Sequence, residues 1–175
     1  GYVERLGVKL HFGAEITTLG QMGEADLVVG ASGAFSWIRS ENEDRFGTTT
    51  DWRPNKFIWY GSTKAFDSLT LTFRETDFGV FCAHHYRYHP DRSTFLIETD
   101  EATWRAAGFD ATTDTTAPND SDTASLAYLQ DAFAEHLQGY RLIGNRTRWM
   151  RFRTVHCRRW THGNAVLLGD AAHTA

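Results

Sequence analysis

A short apolar run near the end of the chain leads directly into a glycine and an acid, and this junction most constrains the fold. The run 165–168 predicts a fully buried strand, and Gly169, Asp170 and Ala171 follow it where a helix would open. Backbone N–H groups and one carboxylate would then point outward at the carboxyl edge of a sheet, where open α/β sheets bind ligands. The junction predicts an α/β layer with a ligand site, although an aspartate that only caps the next helix is an alternative.

A second junction of the same kind lies early in the chain. Residues 26–30 predict another short buried strand, and Gly30 and Gly33 bracket a tight turn before a helix that includes Arg39. Alternating apolar residues over 8–12 predict a further strand of the same layer.

Between the two junctions the sequence is typical of an antiparallel sheet followed by helices. Alternating residues and turn signals predict three strands, over 69–73, 80–88 and 94–98. Asp100 can cap a short helix, and apolar residues recur at helical spacing over 126–137. The polar stretch 109–122 predicts a surface loop between these two helices.

Composition argues against several classes of function. The chain has 175 residues with 18 basic and 22 acidic side chains, whereas a general nucleic-acid binder needs a clustered basic excess. No window approaches the roughly 18 apolar residues that cross a bilayer. The cysteines, Cys82 and Cys157, are too few for a disulfide framework, and adjacent His84 and His85 would face opposite ways in a strand. We expect a cytoplasmic protein with no nucleic-acid partner, no membrane span and no metal site.

Arginines are concentrated near the end of the chain. Seven arginines and no acid lie from Arg141 to Arg159, whereas nine acids and one base lie from Glu98 to Glu135. The planar guanidinium suits phosphate well, so Arg151 and Arg153 are candidate phosphate-binding residues. The alternative is a solvated basic face that pairs with the acidic segment.

Both junctions together resemble the fingerprints of a known family. The segments 26–39 and 167–173 resemble two of the three fingerprints of the group A flavoprotein aromatic hydroxylases, the para-hydroxybenzoate hydroxylase type. That family places a substrate-covering antiparallel sheet between these motifs. Four further segments look most like its branch that acts on aromatic acyl-CoA thioesters: 57–61, 66–67, 93–95 and 160–164.

The resemblance implies a fold and a domain organisation. The fold class would be α/β (α+β), with part of a Rossmann-like FAD-binding layer and an inserted antiparallel β-sheet substrate domain. Residues 1–50 and 141–175 would belong to the FAD-binding domain, and residues 51–140 to the substrate domain.

The resemblance also implies site residues. In the family the aspartate of the last motif binds the ribityl chain of FAD, which implies this role for Asp170. Ser32 stands where the family usually has an aspartate, so we expect weakened rather than abolished cofactor binding. The implied cofactor-binding residues are Ser32, Gly33, Arg39, Gly169, Asp170 and Ala171.

The implied activity is hydroxylation of a small aromatic substrate with FAD, NAD(P)H and O2. A CoA-linked aromatic compound is one such substrate. The antiparallel sheet would contact the ring, and His85 or Tyr86 could orient a phenol or amine. An ordinary strand residue is the simpler interpretation of both side chains. Arg151 and Arg153 would then bind the phosphate groups of CoA or NADPH.

Two alternatives stay open at this point. One is a catalytically inactive binding or interaction module with the FAD-binding fold, in which Ser32 marks lost cofactor use. The other is a nicotinamide-dependent dehydrogenase whose Gly-Asp turn holds a ribose. The family's opening Gly-x-Gly-x-x-Gly unit does not occur in the sequence. We therefore expect an internal segment of a longer enzyme that alone binds FAD poorly and does not turn over; the oligomeric state stays open.

Overall fold

The computed structural model describes residues 1–117 and 119–174, which form two compact units. One unit combines Gly1–Asp51 with Arg153–Ala175, and the other is the continuous segment Trp52–Phe152. The second unit is therefore an insertion in the first. The predicted fold class, an α/β layer interrupted by an antiparallel sheet, is confirmed.

The elements of the described residues are as follows in chain order. The strands are β1 (Val28–Gly30), β2 (Thr48–Ser62), β3 (Thr70–Thr76), β4 (Gly79–His89), β5 (Arg92–Thr99), β6 (Leu142–Ile143), β7 (Met150–Cys157), β8 (Thr161–His162) and β9 (Ala165–Leu167). The α-helices are α1 (Tyr2–Arg5), α2 (Trp37–Glu41), α3 (Glu43–Phe46), α4 (Glu101–Ala106), α5 (Phe109–Thr115), α6 (Thr123–Ala132) and α7 (Ala134–Leu137). Short 3-10 helices lie at Leu19–Met22 and Gly169–Ala171.

The first unit is built around a small sheet in the order β1-β9-β8. Strands β1 and β9 run parallel, and both were predicted from their apolar runs. A Cβ atom on Gly30 would lie 2.9 Å from Cδ1 of Ile38 and 3.2 Å from Cδ2 of Leu167. Glycine at this position therefore lets α2 pack directly against the two parallel strands.

The second unit contains an antiparallel sheet in the order β3-β4-β5-β2-β6, and β7 also pairs with β2. One face of this sheet is covered by apolar helix side chains. Phe81 and Phe95 of the sheet are fully buried in one core with Leu129, Phe133 and Leu137 of the helical segment. The other face is open along β3 and β4, where Leu71, Phe73 and Tyr86 are 52%, 66% and 39% exposed.

Two local predictions are wrong. Residues 8–12 form no strand, and Phe12 is 87% exposed, because alternation alone supplies no neighbouring strand for the backbone hydrogen bonds. Much of the predicted loop 109–122 is helix α5, anchored by buried Phe109, whose carbonyl accepts hydrogen bonds from the Thr112 and Thr113 hydroxyls. Position 118 of that stretch lies outside the described residues.

The second unit extends beyond the boundary that the sequence suggested. Residues 141–152 belong to it, whereas the sequence places them in the first domain. Strand β6 pairs with β2 at Gly61 and Ser62, and the Trp149 indole donates a hydrogen bond of 2.8 Å to buried Ser125. These contacts hold the segment against the inserted sheet and its helices. None of the described helices has the length and apolar character needed to cross a membrane.

Candidate functional site

Two turns of the first unit meet at one edge of its sheet. Because β1 and β9 are parallel, with Gly30 opposite Leu167, the chain leaves both strands in the same direction. The Leu168 N–H donates to the Gly30 carbonyl at 3.0 Å, which extends the pairing into the turns. The segments 31–36 and 169–171 therefore form the carboxyl edge at which α/β sheets bind ligands.

Each turn contains a glycine that faces open space. Gly33 and Gly169 have φ angles of 80° and 61°, which disfavour residues with a side chain. A Cβ atom on either would meet no heavy atom within 4 Å. Both glycines therefore leave backbone that a ligand can approach closely.

Asp170 is exposed at this edge. It lies inside the 3-10 helix, whose N-cap is Leu168 and has no side-chain cap hydrogen bond. The capping alternative is therefore wrong for Asp170, and no described residue donates a hydrogen bond to its carboxylate. Ser32 of the other turn is also exposed, so both side chains are accessible to a ligand.

The buried side chain of Arg39 forms hydrogen bonds with both turns. Its fully buried guanidinium donates through Nη1 to the carbonyls of Ala171 at 2.9 Å and Asp170 at 3.4 Å, and through Nη2 to the Ala34 carbonyl. Burial, and then the charge of Arg153, lower the pKa of Arg39 from its usual value. These contacts make Arg39 a residue that positions both turns, whereas direct cofactor contact by Arg39 stays a prediction.

The two candidate phosphate-binding arginines donate to backbone carbonyls. Nη1 of Arg153 donates to Ala34 at 3.1 Å, and its guanidinium carbon lies 5.0 Å from the centroid of the exposed Phe35 ring. In the second unit, Nε and Nη2 of Arg151 donate to the carbonyls of residues 53 and 52 at 2.9 and 3.0 Å. These bonds occupy donors that a phosphate would use, and phosphate binding by either arginine stays a prediction.

The structure shows which face of β4 is covered. His85 is 4% exposed among helix-facing core residues, with its ring centroid 4.0 Å from that of Phe66 and Nε2 2.8 Å from Oγ1 of Thr72. Tyr86 lies on the open face and is 39% exposed. The placement of His85 therefore supports a core role, whereas Tyr86 is accessible to a substrate.

The buried His85 makes stability depend on pH. Burial, and then the charges of His136, Lys64 and His84, lower the pKa of His85 from 6.5 to about 4. Between these values the unfolded chain binds a proton that the folded chain does not, so stability falls as the pH falls through that window. When the pH falls from 7 to 5, we expect the free energy of unfolding of the wild type to decrease by about 2 kcal/mol more than that of His85→Phe.

Urea unfolding of the complete protein at both pH values measures this difference. The control is His11→Gln, a change at an exposed histidine, which should retain the wild-type pH dependence. Equal pH dependence in the wild type and His85→Phe would contradict the prediction.

The open face of the second unit carries a cluster of polar residues that no sequence motif marks. A groove of about 380 Å³ lies along β3, β4 and β5, and we call it the open-face groove; its lining residues include Asn55, Leu71, Phe73, Cys82, His84 and Glu98. In it, Nε2 of His84 lies 3.5 Å from Oε2 of Glu98, whose Oε1 accepts a hydrogen bond of 2.8 Å from Nδ2 of Asn55. These residues are distant in sequence, and no local pattern joins them.

Comparison with known proteins gives relatives of one kind. No family model matches the chain. It is 42% identical over 169 residues to a salicyloyl-CoA 5-hydroxylase of Streptomyces sp., covering 97% of this chain and 33% of that protein. It is 41% identical over 169 residues to a 3-hydroxy-4-methyl-anthranilyl-[aryl-carrier protein] 5-monooxygenase of Streptosporangium sibiricum, covering 97% of this chain and 41% of that protein.

These two relatives confirm the resemblance to aromatic hydroxylases that the two junctions predicted. Among solved structures, 2-methyl-3-hydroxypyridine-5-carboxylic acid oxygenase has the same fold, with a TM-score of 0.56 and 18% identity over 87% of this chain and 40% of that one. The chain spans between a third and about two fifths of the length of the two relatives above.

Proposed function

We propose that the complete protein is a flavin-dependent monooxygenase that hydroxylates an aromatic ring with FAD, NAD(P)H and O2. The observation that carries this proposal is the exposed Asp170 carboxylate, which no described residue binds, beside the open Gly169 backbone. A carboxylate accepts hydrogen bonds from sugar-alcohol hydroxyls, and the open glycines admit a bulky ligand. These residues fit the ribityl region of FAD.

Each part of the edge would have a separate task. Asp170 would accept hydrogen bonds from the ribityl hydroxyls, and Ser32 would offer a neutral hydroxyl in the neighbouring turn. Arg39 would hold the Ala34 and Ala171 carbonyls so that both turns keep their geometry before the cofactor binds. When bound, FAD supplies the redox chemistry, because it accepts a hydride from NAD(P)H and activates O2.

The antiparallel sheet would bind the ring and exclude water from it. Its helix-covered face is filled by core side chains, so the ring would contact the open face, where Trp59 and Tyr86 are 49% and 39% exposed. A dry, rigid surface holds the ring in one orientation and suppresses unproductive reaction with water.

We propose an aromatic acyl group on a carrier, with CoA as the first choice, as the substrate. The names of the two relatives specify a CoA-linked and a carrier-protein-linked aromatic acyl group. A salicyloyl group has a hydroxyl at ring position 2, an anthranilyl group has an amino group there, and position 5 lies para to it. An electron-donating group para to the oxygenated carbon makes that carbon electron-rich, as electrophilic hydroxylation requires.

Expression of the complete reading frame tests the proposed function. We expect a yellow protein that consumes NAD(P)H and O2 when 2-hydroxybenzoyl-CoA is added and that forms a product heavier by one oxygen atom. Acetyl-CoA is the control, because it has the same carrier without a ring. A colourless protein would favour the inactive module, and nicotinamide turnover without O2 would favour the dehydrogenase. A cytoplasmic location stays a prediction.

A further inference from the structure

The open-face groove combines apolar walls with one polar cluster. Leu71 and Phe73 of β3 are 52% and 66% exposed and stand opposite His84 and Cys82 of β4. Exposed apolar side chains that surround a few polar atoms are typical of sites for small aromatic ligands. The volume of about 380 Å³ lies in the range of such sites.

The polar cluster is a chain of contacts in which Asn55 binds Glu98 and Glu98 lies beside His84. The Asn55 amide donates to Oε1 of Glu98 at 2.8 Å and so fixes the carboxylate. Oε2 of Glu98 lies 3.5 Å from Nε2 of His84, so a neutral His84 with its proton on Nε2 would direct that proton toward the carboxylate. Nδ1 of His84 is then a hydrogen-bond acceptor, and no described residue donates to it.

The Cys82 thiol, which also lines the groove, does not compete for this acceptor. Burial, and then the Glu98 charge, raise the pKa of the Cys82 thiol, so the thiol is neutral at pH 7. A neutral thiol is a weak donor and a weak acceptor, and it adds to the apolar wall. The His84 side chain is 38% exposed, which leaves its ring accessible to a ligand.

We propose that the open-face groove binds the aromatic ring of the substrate and that His84 accepts a hydrogen bond from the ring hydroxyl or amino group, with Glu98 and Asn55 as positioning residues. This inference rests on the proposed function and deepens it by naming the residue that recognises the ring substituent through a hydrogen bond. A hydrogen bond to this acceptor increases the electron density of the ring. The same contact discriminates against a ring that lacks the donor, because His84 and Glu98 would then lose hydration without compensation.

The test compares two thioesters that differ only in this donor. Calorimetry without NAD(P)H measures the dissociation constants of 2-hydroxybenzoyl-CoA and benzoyl-CoA with the complete protein, so that binding is separated from turnover. We expect the wild type to prefer the hydroxylated thioester at least about tenfold. His84→Phe should reduce the preference to about onefold and leave the affinity for benzoyl-CoA unchanged.

Two further variants complete the experiment. Glu98→Gln removes the charge behind His84 and should lower the preference severalfold, and it decides the question if His84→Phe does not fold. His89→Phe is the matched control, because Nδ1 of His89 lies 2.5 Å from Oδ1 of Asp91 in an exposed hairpin outside the groove. It should retain the wild-type preference.

Each other outcome overturns one claim. The role of His84 is overturned if the preference is unchanged in His84→Phe or Glu98→Gln, or if both thioesters lose affinity equally. The proposed function still holds in that case if the wild type hydroxylates its substrate. A wild type that contains no flavin and binds neither thioester overturns the proposed function and this inference with it.

Discussion

Asp170→Ala is expected to weaken FAD binding by the complete protein at least about tenfold, because a hydrogen bond to a charged group contributes roughly 1.5–3 kcal/mol. The carboxylate is exposed and bound by no described residue, so its removal should leave folding stability within about 0.5 kcal/mol of the wild type. Flavin fluorescence during titration of the apoprotein measures the affinity, and thermal unfolding measures the stability. Asp170→Asn retains one acceptor oxygen and should lose less affinity.

A matched control separates this effect from a general change of charge. Glu41 is an exposed carboxylate at the end of α2, and Glu41→Ala should bind FAD as the wild type does. Wild-type affinity in Asp170→Ala would remove the ribityl contact. A large loss of stability in that variant would show that Asp170 supports the turn instead.

Arg39→Met is expected to destabilise the complete protein by about 3–5 kcal/mol and to abolish FAD binding. The change leaves the carbonyls of Ala34, Asp170 and Ala171 without the guanidinium that they share. Lysine has one ammonium group and cannot reproduce this planar set of donors, so Arg39→Lys should recover little of the loss. Urea unfolding and flavin content measure the two effects.

The control for Arg39 is an exposed arginine of the same unit. Arg45 lies in the last turn of α3, and Arg45→Met should change stability by less than about 0.5 kcal/mol. An Arg39→Met protein with wild-type stability would contradict the positioning role. Normal stability combined with lost FAD binding would point instead to direct cofactor contact.

Local chemistry made the carboxyl edge of the first unit predictable. Residues 26–30 and 165–168 predict short strands that lead into glycine-containing turns, and the structure pairs Val28–Gly30 with Ala165–Leu167 in parallel. The signals for β3, β4 and β5 of the second unit are also local, because the hairpin at Gly79 joins two alternating runs. These elements follow from backbone conformation and burial, which each segment specifies largely by itself.

The open-face groove could not be predicted in the same way. Alternation in β4 shows that His84 and His85 face opposite sides, but only the position of the helices decides which side is covered. The contact of His84 with Glu98 depends on the register between β4 and β5, where His84 pairs with Leu96. Asn55 joins them from a third strand, and neither register nor strand order is encoded within a short window.

The parallel pairing of β1 with β9 also determines when the carboxyl edge can form during synthesis. Arg39 and its acceptor Ala171 are 132 positions apart, whereas neighbouring hairpin strands of the inserted unit meet across short turns. Contacts close in sequence form early, because little chain entropy is lost when they close. The inserted sheet can therefore fold on the ribosome first, and a nascent chain completes its carboxyl edge only after β9 and the turn that follows it emerge.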